Sequence, residues 1–142
     1  MGRSRGGISS KIHCITNEKG LPIDFKLTSG EVHDAREARG LLEGKKACYV
    51  IADKGYDAKS IINVIKDIGA EPVIPSRSCC IEKRTYNKEI YKKRNLIERF
   101  FNRLKCFRRI ATRYERKAIN FLSMIWLAGS ILWLNHLIVD ST

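Results

Sequence analysis

The alternation of hydrophobic and polar positions near the N-terminus predicts a β-hairpin. Residues 8–16 alternate as a half-buried strand does, and residues 17–20 carry the asparagine and glycine typical of a turn. Residues 21–27 predict a second strand, which would pair with the first. Asp34 is then expected to cap a helix over residues 35–42.

The middle of the chain predicts a strand–helix–strand unit. Residues 47–52, ACYVIA, form a short apolar run bounded by charge, which is typical of a buried central strand. Residues 58–68 have a helical apolar period, and Gly69 is suited to end that helix. Residues 71–74 predict a further short strand, which Pro75 stops.

The C-terminal half predicts a basic loop over residues 76–88 and two long helices, over residues 89–110 and 117–137. The order of strands and helices predicts an α/β sheet with flanking helices, in a single domain over residues 1–142. Functional residues gather at the carboxyl ends of strands in open α/β sheets. Asp53 follows ACYVIA at such an end.

The run over residues 121–139, FLSMIWLAGSILWLNHLIV, is long enough to suggest a membrane span. It also contains serine, glycine, asparagine and histidine, which favour a core helix that closes the domain. We therefore expect no membrane partner, with the span as the alternative.

Charge changes this picture by indicating a polyanionic partner. The chain has 142 residues and carries 27 Lys and Arg against 15 Asp and Glu, a formal charge of +12. Hydrophobic residues make up 44%, which excludes a disordered basic tail. A folded domain this basic usually meets nucleic acid. A solvated basic surface and an anionic membrane are the alternatives.

The cysteine pattern indicates free thiols in a reducing cytosol. The chain has 5 cysteines, an odd number, with no CxxC pair and no secretory signal before them. Zinc is not expected, because neither the cysteines nor the histidines have ligand spacing. His33 and Asp34 could form a metal pair, but capping by Asp34 is the simpler interpretation.

The candidate chemistry lies in the segment YKKRNLIERFFNRLK, which presents Tyr91, Arg94, Glu98 and Lys105. In a continuous helix these side chains fall within roughly 60° of one another. A carboxylate beside two cations and a phenol suits a metal-assisted phosphate site. With Asp53 it supplies two acids, and phosphodiester chemistry commonly uses carboxylates to hold two divalent ions.

Each of these residues also has a simpler interpretation. Asp53 could form only a turn or a helix cap, and Asp57 could cap the helix that begins at Ala58. Glu98 and Arg94 could form an ordinary surface ion pair. The functional interpretation gains weight because a strand-end acid, a helix acid and a basic face occur together.

These motifs resemble those of DDE-type bacterial insertion-sequence transposases, of the four-like/five-like group with an RNase H-like catalytic domain. The resemblance extends over nearly the whole chain. Its sharpest parts are Asp53-Lys54-Gly55-Tyr56 and the Tyr91, Arg94, Glu98 and Lys105 set. The other matching segments are GRSRGGISSKIH, LPIDFKLTSGEVHDA, EPVIPSR and the continuation to RRIATRYE.

The resemblance implies a transposase with an RNase H-like mixed sheet. Asp53 would be the second acid of the DDE triad and Glu98 the third, and both would bind Mg²⁺, with Mn²⁺ as an alternative. The reaction would release a 3′ hydroxyl at the transposon end by hydrolysis, and this hydroxyl would then attack target DNA. The residues expected to contact transposon-end or target DNA are Tyr91, Arg94, Asn102, Lys105 and Arg109.

The resemblance also indicates what this chain lacks. The first acid of the family lies in an Asp-x-Thr segment before the GRSRGG region, so we expect the first strand and its Asp to be missing. An upstream reading frame would supply them, or the chain would be a remnant or an inhibitory fragment. We expect the chain alone to bind DNA but to cleave it poorly. A dimer on DNA, in the bacterial cytoplasm and nucleoid, is expected by analogy.

Overall fold

A computed structural model of the chain describes residues 3–4, 7–8, 10–32, 34–79 and 83–140. The chain divides into two compact units. We call Met1–Gly30 with Leu96–Thr142 the hairpin unit, and Glu31–Asn95 the parallel-pair unit. The described strands are β1 Arg3–Ser4, β2 Gly7–Ile8, β3 Ser10–Thr16, β4 Pro22–Ser29, β5 Tyr49–Ile51 and β6 Glu71–Val73. The described helices are α1 Asp34–Leu42, α2 Lys59–Asp67, α3 Lys88–Tyr91, α4 Asn95–Lys105, α5 Arg108–Ala111 and α6 Ala118–Asp140.

The predicted hairpin is confirmed. Strands β3 and β4 pair antiparallel, with Cys14 opposite Phe25, and the register shifts between Ile15 and Thr16. Asn17 closes the turn, because its Oδ1 accepts hydrogen bonds from the backbone N–H groups of Lys19 and Leu21. The first strand begins at Ser10 rather than at residue 8, since Gly7–Ile8 pairs with Arg3–Ser4 instead.

The core of the hairpin unit forms where β4 and helices α4 to α6 meet. Gly129 allows a close approach, because a Cβ at this position would lie 3.0 Å from Phe25 Cε2. Trp133 Nε1 donates a hydrogen bond of 2.8 Å to the Pro22 carbonyl and fastens α6 to β4. The buried members of this core are Phe25, Phe100, Leu104, Ile110, Phe121, Ile125, Ala128 and Leu132.

Helix α6 buries one face and exposes the other. The buried face confirms the predicted packing on the core, but Leu127 and Leu134 are 63% and 58% exposed. Among the described residues, this helix is long and apolar enough to cross a membrane by length and composition, although the core helix of a soluble protein passes the same test. The expected absence of a membrane partner stays a prediction.

The parallel-pair unit consists of β5 and β6, which pair parallel, with helices α1 and α2. Gly69 ends α2 with a φ of 77°, a left-handed conformation that glycine adopts without steric cost, as predicted. Ala58 is the extended residue before α2, and its side chain makes no cap bond. The buried residues of this unit are Ala38, Leu41, Leu42, Ile61, Ile62, Ile65, Ala70, Val73 and Ile74.

Two predicted elements are wrong. The strand in ACYVIA is not a buried central strand: Tyr49 is 46% exposed, and in the described part of the chain β5 pairs with β6 alone. The single helix over residues 89–110 is divided by a 3₁₀ turn at Lys92–Arg94 and by a break before α5. The helix does not continue through Phe107, because the backbone of this residue is extended and its side chain packs against the core.

The α/β class is confirmed by these small sheets and flanking helices. The described strands form separate two-stranded ladders. The RNase H-like sheet, the missing first strand and the single domain over residues 1–142 stay predictions. The position of His33, and so the interpretation of His33 and Asp34 as a metal pair, lies outside the described residues. Helix α1 begins at Asp34 itself.

Cys14 is expected to resist alkylation while the chain is folded. Burial, and then the negative charge of Asp24, raise the pKa of the thiol from 9.0 to about 12, so the thiolate fraction at pH 8 falls about 10³-fold. Cys106 is exposed and serves as the internal control. Peptide mass spectrometry after iodoacetamide treatment at pH 8 should show Cys106 labelled first. Equal labelling rates in the folded chain would contradict the half-buried position of Cys14 and its raised pKa.

The same shift makes folding stability depend on pH. Because the folded pKa lies above the unfolded one, the contribution of Cys14 is complete below about pH 9 and is lost as pH rises towards 12.

Candidate functional site

Asp53 lies at the carboxyl end of β5, where it caps the 3₁₀ turn Lys54–Tyr56. Its Oδ1 accepts a hydrogen bond of 2.7 Å from the backbone N–H of Gly55. The capping interpretation is therefore confirmed. It does not exclude ligand binding, because the residue is exposed and the bond occupies one of the two carboxylate oxygens.

Gly55 is required for this position of the carboxylate. A Cβ at Gly55 would lie 2.8 Å from Asp53 Oδ1, closer than a side chain tolerates. Any larger residue at this position would push the carboxylate away from the turn. The glycine of the Asp-Lys-Gly-Tyr motif therefore determines where Asp53 points.

An open pocket of about 600 Å³ lies beside this turn, within the parallel-pair unit. The Arg94 guanidinium carbon is 5.8 Å from the centroid of the Tyr91 ring, a cation–π arrangement. The ring of Tyr86 stacks edge-on against Tyr91 at 5.3 Å. The residues that line the pocket are Asp53, Lys54, Gly55, Pro75, Tyr91 and Arg94. The structure thus brings Asp53, Tyr91 and Arg94, which were predicted from sequence, around one pocket.

The other predicted residues belong to the hairpin unit. Glu98, Asn102 and Lys105 are exposed on α4, within roughly 60° of one another by helical geometry. Arg109 lies in α5 with its side chain 70% exposed, and its Nη1 is 3.8 Å from Glu115 Oε1. The two cations, Lys105 and Arg109, are therefore accessible to a phosphate.

The prediction that Tyr91, Arg94, Glu98 and Lys105 lie on one continuous helix is wrong. The 3₁₀ turn at Lys92–Arg94 separates α3 from α4.

Sequence reasoning missed a polar network next to the pocket. Asp57 does not cap α2; its Oδ2 accepts a 2.8 Å hydrogen bond from the Arg77 backbone N–H, and its Oδ1 accepts one of 2.8 Å from Arg84 Nη2. Arg77 in turn donates to backbone carbonyls of the Asp53 turn. The only signal in the sequence is that Arg77 ends the EPVIPSR segment, where the pattern predicts the start of a basic loop.

The donor chemistry at Asp53 suits a hard divalent cation, since an accessible carboxylate oxygen is a typical Mg²⁺ ligand. In the described ranges, no group of three or more His, Cys, Asp or Glu residues is placed to hold a metal ion. Nearby, burial and then the charges of Asp34 and Asp53 raise the pKa of Tyr56 to about 12. That phenol stays protonated at neutral pH and keeps its ability to donate a hydrogen bond.

Comparison with known proteins places the chain in a family. The family model described as a transposase DDE domain matches residues 2–133. A Brucella ovis protein named as a transposase for insertion sequence element IS6501 is 37% identical over 132 residues, which are 89% of this chain and 99% of that protein. A Burkholderia cepacia protein named as a transposase for element IS402 is 30% identical over 128 residues, 82% of this chain and 57% of that protein.

No solved structure matches the chain. The family match covers most of the chain, and it includes both the Asp53 turn and helix α4. The chain therefore belongs to the transposase DDE domain family.

Proposed function

We propose that the chain acts in DNA transposition as a transposase, with Asp53 and Glu98 as the second and third acids of a DDE triad. The observation that carries this proposal is the pocket that joins Asp53, Tyr91 and Arg94. A carboxylate, an aromatic ring and a guanidinium at one opening supply the groups that bind a divalent ion, stack on a base and bind a phosphate. We further propose that both units belong to one RNase H-like domain.

Mg²⁺ would be held by Asp53 and Glu98, and Mn²⁺ could replace it. When bound, the metal would activate the attacking oxygen and offset charge on the leaving oxygen. The contribution of the chain is to present the accessible oxygen of Asp53, whose other oxygen is fixed by the Gly55 N–H.

DNA would bind through cations around the pocket and on α4 and α5. Arg94 is close to Tyr91, so a phosphate bound by the guanidinium would lie beside the ring on which a base can stack. Lys105, Asn102 and Arg109 are exposed on the hairpin unit and would themselves contact the DNA backbone. The formal charge of +12 supports this partner. The DNA-bound form would be a dimer that pairs two transposon ends, in the bacterial cytoplasm and nucleoid.

Replacing a proposed phosphate contact with alanine is expected to weaken the salt dependence of DNA binding. For Lys105→Ala and Arg109→Ala separately, the slope of log K against log[salt] should fall by about 1, because each contact releases about one counterion. Fluorescence anisotropy with end-sequence DNA at several salt concentrations measures this slope. Lys66→Ala is the matched control, since Lys66 is an exposed cation on α2. Equal slopes for Lys105→Ala and Lys66→Ala would contradict the assignment.

A second candidate function is a DNA-binding fragment that regulates a complete transposase without catalysis. The formal charge of +12 and the exposed cations of α4 and α5 favour it, because they support DNA binding that requires no metal. Metal dependence distinguishes the two functions. A transposase requires Asp53 and Glu98 for activity but not for DNA affinity, whereas a regulator retains its full effect when both acids are replaced by amides.

A further inference from the structure

We propose that Arg77, held by Asp57, is a positioning residue for the Asp53 carboxylate. The role in catalysis rests on the proposed function, but the contacts stand on the geometry of the parallel-pair unit. Arg77 reaches from the segment after β6 to the turn after β5. It contacts that turn through backbone carbonyls rather than through the acid itself.

The guanidinium of Arg77 fastens the turn at two points. Its Nη2 donates a hydrogen bond of 2.9 Å to the Gly55 carbonyl, and its Nε lies 3.3 Å from the Lys54 carbonyl. The peptide that follows Lys54 also supplies the Gly55 N–H, which is bonded to Asp53 Oδ1. Holding both carbonyls therefore fixes the direction of the N–H that orients the carboxylate.

Asp57 anchors Arg77 from the other side. Its side chain is only 4% exposed, and its two oxygens accept hydrogen bonds from the Arg77 backbone N–H and from Arg84 Nη2. The Arg84 backbone N–H donates a hydrogen bond of 2.8 Å to Ser76 Oγ, next to Arg77 in sequence. A buried carboxylate must be paired, and here both of its oxygens are used within the fold.

The two aspartates near the pocket therefore have different roles. Asp53 is exposed and keeps one oxygen accessible, whereas Asp57 is buried and bonded to the chain through both. The pairing with Arg84 also offsets the negative charge of Asp57 close to Asp53. We assign metal binding to Asp53 and positioning to the Asp57–Arg77 pair.

Replacing Arg77 is expected to disturb the position of the Asp53 carboxylate strongly and to change the stability of the fold little. Arg77 is exposed, and the net contribution of each of its hydrogen bonds to stability is small, so Arg77→Ala should still fold. A displacement of about 1 Å in a catalytic group can cost about 10²-fold in rate. Arg77→Lys should rescue only in part, because lysine lacks the planar fork that bonds two carbonyls.

Amide hydrogen exchange of the free chain tests the geometry without reference to activity. In Arg77→Ala, exchange at the Gly55 N–H should accelerate about tenfold, with Arg77→Lys intermediate. Arg39→Ala, at an exposed arginine of α1 in the same unit, is the control and should leave Gly55 unchanged. Unchanged Gly55 exchange in Arg77→Ala, with the fold intact, would overturn the positioning role.

The same variants in a transposition assay separate this inference from the proposed function. We expect Arg77→Ala to lower activity about 10²-fold and to raise the Mn²⁺ concentration needed for half-maximal activity, at unchanged DNA affinity. Gly55→Ala is the second variant, because its methyl group would displace the same carboxylate. Faster Gly55 exchange in Arg77→Ala, together with normal transposition by Asp53→Asn, would contradict the proposed function but would support the positioning geometry. A loss in Asp53→Asn but not in Arg77→Ala or Gly55→Ala would overturn the positioning role.

Discussion

Asp53→Asn and Glu98→Gln, each introduced into the complete insertion element, are expected to lower transposition on the order of 10³-fold. A metal contributes several kcal/mol of charge stabilisation to the transition state, and each 1.36 kcal/mol corresponds to a factor of ten. An amide keeps the size of the carboxylate but loses the charge that holds the ion. The measurement is the frequency with which the element moves from a donor plasmid, at matched protein levels.

The matched controls are Asp67→Asn and Glu43→Gln, which remove the same charges from exposed positions in the parallel-pair unit. Both should transpose at the normal frequency. DNA affinity should be retained in Asp53→Asn and Glu98→Gln, because neither acid binds phosphate. Normal transposition in either variant would remove that residue from the triad.

Phe25→Ala is expected to lower the free energy of unfolding by about 3–5 kcal/mol, the range for a fully buried phenylalanine. Phe25 lies at the centre of the hairpin unit, 4.9 Å from the ring of Trp126 and 5.8 Å from that of Phe100. It also fills the space that Gly129 leaves open on α6. Removing the ring would leave a cavity between β4 and two helices.

Urea denaturation followed by tryptophan fluorescence measures this change, since Trp126 is in contact with the ring. Ile23→Ala on the same strand is the control: Ile23 is 44% exposed and should cost less than about 1 kcal/mol. A loss in Phe25→Ala as small as in Ile23→Ala would contradict the described packing of α6 on β4.

The elements predicted correctly are those that local sequence determines. The hairpin follows from alternation and from the Asn17 turn, and α2 follows from its apolar period and from Gly69. The exposure of β5 was not predictable from ACYVIA, because burial depends on how many strands and helices cover that strand. The break before α5 depends on Phe107 packing against the core, a contact between distant parts of the chain.

The candidate site shows the same division. Asp53, Tyr91 and Arg94 were predicted individually, and they line one pocket. The prediction that a continuous helix carries Tyr91, Arg94 and Glu98 is wrong, because periodicity alone does not reveal the 3₁₀ turn at Lys92–Arg94. Arg77 and Asp57 were missed because hydrogen bonds across 20 residues of sequence leave no local pattern.

The most direct test of a transposase function is the joining of a labelled transposon end to plasmid DNA by the protein produced from its complete element. With Mg²⁺, we expect a covalent product in which the 3′ end is joined to the plasmid, and we expect Asp53→Asn to abolish it. Binding of the end with normal affinity, but without cutting or joining in either Mg²⁺ or Mn²⁺, would contradict this function and identify the chain as a DNA-binding regulator.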